Sequence, residues 1–281
     1  MDHFSWVPKS SRRSGRDKET RREGSTNGCA SVCEKLKHDH LDVLLQAVGM
    51  FLNITAAIPG LFKVDVNAAY RRLPILPEHR WAAGVVYRFK GQVMASIHYA
   101  MPFGAIASVH EWEKLGGLLL DIVLVILRVV CFRYVDDFFG AEPMETLEHT
   151  KCCVVRVMRA LLGATAISDD KAECGPGLRV LGVDIELTPD WYCCKPAKET
   201  LLKCLIVIEG ALEQGVLTTG DAQKLAGRLG WANQHLFRRI GKSMLGPIFR
   251  QKLTRCACCV FSFVGECQIV SFVAQGRRRD C

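Results

Sequence analysis

Acidic residues are missing from the whole stretch between residues 222 and 265. The opening MDHFSWVPKSSRRSGRDKETRREG has little apolar character and nothing like the apolar core of an export signal. The expectation is an intracellular protein of cytoplasm or nucleus. Zinc-ligand spacing is absent among the 14 cysteines. Cys29 and Cys33 stand alone, Cys152-Cys153 and Cys193-Cys194 are adjacent pairs, and Cys256, Cys258, Cys259 and Cys267 have no histidine close by. These cysteines read as reduced, buried small hydrophobes rather than a disulfide framework. No internal repeat occurs. A single run, Leu115 to Phe132 (LGGLLLDIVLVILRVVCF), has the length to cross a bilayer. It contains Asp121 and Arg128, each costly at mid-membrane. A buried helix leading into a core strand is the preferred reading; a membrane-associated protein is the alternative.

What is present suits a globular protein. The 281 residues fit one composite domain or two small ones, at about 150 residues per domain. Hydrophobic residues make up 49% and charged residues 23%, too apolar for disorder throughout. The net charge of +8 favours an anionic partner. Residues 1–28 read as a flexible basic arm. Residues 31–52 read as a helix, with Val32, Leu36, Leu41, Leu44, Leu45 and Val48 near a helical period. Leu61 to Val66 is a short strand delivering Asp65. Trp81 to Phe89 and Gln92 to Tyr99 form a hairpin around Lys90-Gly91, because Gly supplies the positive φ of a tight turn. A helix follows over about 109–127. Val129 to Tyr134 and Phe138 to Ala141 flank Asp136-Asp137 as a second hairpin. Met144 to Leu162 is helical and ends at Gly163. Leu178 to Leu187 is a strand, Thr188-Pro189-Asp190 a turn, and from Ala197 the pattern is helical, with Thr218 or Thr219 as a cap.

The expected fold is α+β: a split β-α-β, ferredoxin-like antiparallel sheet with helices on one face, followed by a helical region. That topology sets the Asp65 strand beside the Asp136-Asp137 hairpin, so three carboxylates would converge at one sheet edge. Carboxylates that close repel one another unless a cation neutralises them. Oxygen-only ligands suit Mg²⁺. Two such ions can activate a 3′-hydroxyl and support a leaving pyrophosphate. A lone Asp-Asp is ordinary turn chemistry. The combination is the signal: aromatic and β-branched residues before it, apolar strands on both sides, and an Asp-bearing strand upstream.

These residues resemble the motifs of reverse transcriptases, and most closely the tyrosine-recombinase (DIRS-like) and pararetroviral branch of retrotransposons. Asp65 to Tyr70 (DVNAAY) with Arg71-Arg72-Leu73-Pro74-Ile75 resembles motif A, and Met101-Pro102-Phe103-Gly104 resembles motif B. Tyr134-Val135-Asp136-Asp137 resembles motif C, and Gly163 through Asp169-Asp170-Lys171 motif D. Leu181-Gly182 resembles the primer grip, and Leu225 to Ala232 (LAGRLGWA) the helix after the polymerase palm. The sequence departs from motif B at Ser108-Val109, where the family usually has Ser or Ala before Pro.

The resemblance implies a right-hand polymerase palm followed by a helical thumb or connection. It divides the chain into a basic arm (1–28), a truncated fingers helix region (29–60), a palm with a fingers hairpin (61–195), a thumb or connection (196–255) and a Cys-rich tail (256–281). Asp65, Asp136 and Asp137, with the Val66 carbonyl, would bind two Mg²⁺ ions, with Mn²⁺ as a substitute. Tyr70 would be the steric gate against a 2′-hydroxyl. Phe103 and Gly104 would line the nucleotide pocket, Lys171 would act as a general acid towards pyrophosphate, and Leu181 and Gly182 would grip the primer. The implied partners are an RNA or DNA template with primer, and deoxyribonucleoside triphosphates. The fingers ahead of Asp65 are short, and no triphosphate-clamping residue is assigned there.

The acid-free stretch carries Lys224, Arg228, Arg238, Arg239 and Lys242, among other cations. A one-sign stretch suits phosphates, where an ordinary solvated surface mixes both signs. The function implied is RNA-directed DNA synthesis; the alternative is a catalytically weak or inactive remnant that binds nucleic acid.

Overall fold

A computed structural model describes residue 27, residues 35–55, 57–188 and 192–234, and residues 245, 246 and 248. The expected basic arm, the Cys-rich tail, Arg238, Arg239, Lys242 and the turn at 189–190 lie outside the described residues, apart from Asn27.

The fold is a mixture of sheets and helices. Five helices are described: α1 (Leu41–Thr55), α2 (Ile106–Asp121), α3 (Leu147–Leu162), α4 (Lys198–Gln214) and α5 (Thr219–Gln234). The strands are β1 (Pro59–Val66), β2 (Gly84–Phe89), β3 (Gln92–Ile97), β4 (Cys131–Tyr134), β5 (Asp137–Pro143), β6 (Ile167–Gly175), β7 (Gly177–Val180), β8 (Val183–Leu187) and β9 (Tyr192–Pro196). Three sheets result, with strand orders β4-β5-β1-β6, β2-β3 and β7-β8-β9. In the first, the strand that carries Asp65 lies next to the strand that begins at Asp137, as the split β-α-β reading requires.

The residues divide into two compact units, each drawn from separated stretches. One comprises Met1–Asp39, Val64–Phe138 and Cys153–Ala172; the other comprises His40–Lys63, Phe139–Cys152 and Glu173–Cys281. In the first unit, Val64, Val66, Trp112, Leu119, Phe138 and Met158 are buried. In the second, Leu41, Leu44 and Val48 recur along one face of α1 and are buried, as are Phe62, Phe139 and Ile185. Gly60 is fixed by packing there: a Cβ would collide with the Leu147 side chain.

Local chemistry explains the element ends. Gly163, at φ +98°, closes α3 with its N–H on the Arg159 carbonyl. Thr218 is the cap of α5: its hydroxyl accepts from the Asp221 N–H at 3.1 Å and donates to the Asp221 carboxylate at 2.7 Å. Lys90 and Gly91, both at positive φ, make the β2–β3 turn.

Two expectations need correction, two strands are unforeseen, and the long apolar run is a helix leading into a strand, as expected. Residues 35–40 are not helical, and α1 begins at Leu41. Asp39 instead pairs with Arg133, giving its N–H to the Arg133 carbonyl and accepting the Arg133 N–H on its carboxylate. Leu178 to Leu187 is not one strand but a hairpin that turns at Leu181 (φ +49°) and Gly182 (φ +74°). Two unforeseen strands are present. β6 reads ISDDKAECG and lacks an apolar alternation because it is a sheet edge, where charge is tolerated and protective. β9 pairs with β8 and buries Cys193 and Cys194. The long apolar run is divided between α2, a π-helical turn at Ile122–Ile126 and β4, with Arg128 at φ +58° breaking the helix. No described helix is long and apolar enough to cross a membrane.

Candidate active site

The site is built on the first unit. Strand β1 delivers Asp65, and the β4–β5 turn delivers Asp136. The two elements are tied by a backbone hydrogen bond from Val66 N–H to the Asp136 carbonyl at 3.0 Å. Beyond β1 the chain turns sharply. Ala68 adopts a left-handed φ of +51°, the Asn67 N–H bonds the Ala166 carbonyl, and a short 3₁₀ turn at Ala69–Arg72 presents Tyr70. Arg72 fastens this turn, donating to the Asn67 carbonyl and to the hydroxyl and carbonyl of Thr165.

Burial pushes the Asp136 carboxyl above the usual carboxylate range, and the negative charge of Asp65 adds to the rise, while its own backbone hydrogen bond and Lys171 oppose it. Lys171, on β6, places its ammonium 2.6 Å from the Asp65 carboxylate. That hydrogen bond pushes the Lys171 pKa up. The lysine is therefore a strand residue paired to an acid, not an isolated loop cation. Asp137 begins β5 and is partly buried. Among the described residues, no three His, Cys, Asp or Glu side chains gather as a metal-holding group.

Tyr70 and Phe103 come together. Their ring centroids lie 5.3 Å apart at 64°, an edge-to-face contact. Burial pushes the Tyr70 hydroxyl pKa up, with the charges of Asp136 and Glu113 adding to the rise. Phe103 is exposed, and Gly104 follows it at φ +86°, a conformation that favours glycine. Ser108, fully buried, donates to the Pro102 carbonyl at 2.7 Å and so ties this loop to α2. The loop also receives Asn27, whose amide donates to the Gly104 carbonyl and accepts from the Ile106 N–H.

The sequence reading missed two residues around the acidic turn. Trp112 Nε1 and Arg133 Nη1 both donate to the Val135 carbonyl, at 2.8 and 2.9 Å. An arginine inside the apolar strand CFRY was the available signal, since a buried cation needs partners.

The second unit holds the other candidates. The Leu181-Gly182 turn is fixed by Trp231, whose indole N–H donates to the Leu181 carbonyl at 3.0 Å, and by the Ala197 N–H on the Gly182 carbonyl. Lys224 pairs with Asp221 at 3.2 Å, and Arg228 donates to the Lys203 carbonyl.

No protein-family model matches the chain, and no curated protein does. Solved structures do. The foamy viral protease-reverse transcriptase in complex with double-stranded DNA superposes with a TM-score of 0.52 at 15% identity, covering 80% of this chain and 35% of that one. The same viral protein in complex with an RNA/DNA hybrid gives a TM-score of 0.52 at 16% identity, covering 80% and 27%. The chain thus has a reverse-transcriptase-like fold, and it spans 27–35% of the length of the structures it resembles.

Proposed function

We propose that this chain is the palm-bearing part of a reverse transcriptase, extending a primer on an RNA or DNA template with deoxyribonucleoside triphosphates. The observation that carries the reading is the meeting of Asp65, Asp136 and Lys171 at the end of β1 in a reverse-transcriptase-like fold. The retrotransposon origin, the DIRS-like placement and the thumb role of α4 and α5 belong to the same proposal.

The donor chemistry fits a hard divalent cation. Asp65, Asp136, Asp137 and the Val66 carbonyl offer oxygen only, and the Asp65 charge adds to the rise that burial gives the Asp136 pKa. Those residues would hold two Mg²⁺ or Mn²⁺ ions, which when bound lower the barrier to in-line attack by a 3′-hydroxyl. The chain's own groups do the rest. Tyr70 excludes a 2′-hydroxyl with its ring, braced by Phe103. Gly104 lets the backbone approach the nucleotide. Lys171 holds a proton at Nζ through its contact with Asp65 and offers it towards the leaving pyrophosphate. The Leu181-Gly182 turn, backed by Trp231, bears on the primer.

The second reading is a nucleic-acid-binding remnant without turnover. One observation favours it: the Asp65 carboxylate is already satisfied by Lys171. Primer extension with Mg²⁺ or Mn²⁺ decides between them. Metal-dependent incorporation supports the enzyme, and primer-template binding without incorporation supports the remnant.

A further inference from the structure

The turn that carries Asp136 is strained. Val135 sits at φ +55°, in the left-handed region. A β-branched residue is a real outlier there, because its Cβ crowds the following carbonyl. Val135 and Asp136 are the two central residues of the β4–β5 hairpin, and only the first has positive φ. Glycine is the ordinary occupant of that position. Among the described residues, the turns at Lys90-Gly91 and Leu181-Gly182 also begin with a non-glycine at positive φ, but neither Lys nor Leu is β-branched, and each is followed by a glycine, whereas Val135 is followed by Asp136. Such a conformation persists only where its surroundings impose it.

The surroundings are specific. The Val135 carbonyl oxygen accepts from both Trp112 Nε1 and Arg133 Nη1, which fills its two lone pairs. Trp112 is 0% exposed and Arg133 5%. Arg133 is in turn fixed by Glu113, through an ion pair at 2.8 Å and a hydrogen bond to its backbone carbonyl. Helix α2 approaches closely enough for this because residue 116 is glycine: a Cβ there would lie 2.8 Å from Arg133 Nη1. On the other side, Asp39 locks the Arg133 backbone through both its N–H and its carboxylate. Arg133 Nε is buried without a hydrogen-bond partner, so the side chain is oriented by its other nitrogens at some cost.

We infer that Trp112 and Arg133 are positioning residues. Together they clamp the Val135 carbonyl, impose the left-handed backbone, and thereby aim the Asp136 carboxyl towards Asp65. The inference rests on the proposed function for the role of Asp136, but the clamp itself is a property of the fold. A packing role alone would make a tryptophan or arginine change harmful whatever residue stands at 135. The clamp makes that harm depend on Val135.

The test is a double-mutant cycle on the full chain with Trp112→Phe, Val135→Gly and the pair, and with Arg133→Lys as an independent second probe. Trp112→Phe keeps an aromatic ring and removes the N–H. Arg133→Lys keeps the charge and removes the planar fork. Glycine adopts the left-handed region without strain. Thermal unfolding should show a smaller loss from Trp112→Phe in the Val135→Gly background than in the parent, and additive losses would overturn the clamp. In primer extension, Trp112→Phe and Arg133→Lys should each lower kcat by about 10²-fold, with primer-template Kd unchanged, as a misplacement of about 1 Å does. Val135→Gly should restore most of the Trp112→Phe loss. Extension by both single variants at the parent rate, or no restoration, would remove the positioning role. A parent chain that extends nothing would sink the proposed function, and the unfolding cycle would still decide the clamp.

Discussion

Lys171 Nζ lies 2.6 Å from the Asp65 carboxylate, so one carboxylate of the acidic edge is paired with a cation from the chain itself. An ammonium and a divalent ion compete for that carboxylate. Lys171→Ala should therefore strengthen Mn²⁺ binding by about two- to fivefold, the range a partly exposed ion pair supports. It should at the same time slow incorporation, because the proton donor is gone. Calorimetric titration with Mn²⁺ checks the first effect. Unchanged or weaker binding would show that Lys171 does not occupy the metal's side of Asp65.

Tyr70 packs edge-on against Phe103 and feels the charge of Asp136. Tyr70→Ala should raise ribonucleotide use relative to deoxyribonucleotide use, and Phe103→Ala should do the same more weakly by freeing the ring. The ratio of kcat/KM for the two sugars measures this. An unchanged ratio in Tyr70→Ala would make the ring a packing element only.

The described cysteines divide by burial. Cys131, Cys193, Cys194 and Cys204 are buried and Cys152 is exposed. Burial pushes the Cys194 thiol up to about 12. A raised thiol pKa means stability is fully present below the ordinary thiol value and is lost as pH rises from there through about 12, since only the unfolded chain ionises readily. In native protein at about pH 8, near the ordinary thiol range, iodoacetamide should label Cys152 well ahead of Cys194, with mass spectrometry of the peptides as the readout. Equal labelling would mean that the β8–β9 region opens easily.

The acid-free basic stretch is not uniform. Lys224 is already paired with Asp221, whereas Arg228 donates to a backbone carbonyl and keeps its charge available. Charge removal at Arg228, Arg238 and Arg239 should flatten the salt dependence of primer-template binding, by up to about one unit of slope per lost phosphate contact. Lys224→Ala should change the slope much less. A large effect from Lys224 alone would assign the phosphate track to that end of α5.

Turn chemistry carried the legible part of the fold. Gly91 marked the β2–β3 turn, Gly163 the end of α3 and Thr218 the start of α5, and each acts where its φ or hydroxyl requires. The neighbourhood of Asp65 and Asp136 was legible because apolar strands flank both. The rest was hidden for identifiable reasons. β6 is an edge strand written in charges, so no period-2 pattern announced it. Leu181 hid the β7–β8 turn, since an apolar residue at positive φ looks like strand interior. Residues 35–40 follow Arg133 rather than their own helical period. The contacts of Lys171, Trp112 and Arg133 depend on tertiary approach, which no local pattern encodes.

Asp136 is the residue on which catalysis at this turn depends most directly. Asp136→Asn keeps the size and the turn and removes one charge from the acidic edge. The decisive measurement is primer extension by parent and variant in Mg²⁺ and in Mn²⁺, with primer-template Kd measured on the same samples. Loss of a metal ligand removes transition-state stabilisation of several kcal/mol. The parent should incorporate nucleotides only with metal, and the variant should fall by about 10³-fold or more while binding primer-template as the parent does. Incorporation by Asp136→Asn at the parent rate would contradict the assignment of this turn to catalysis.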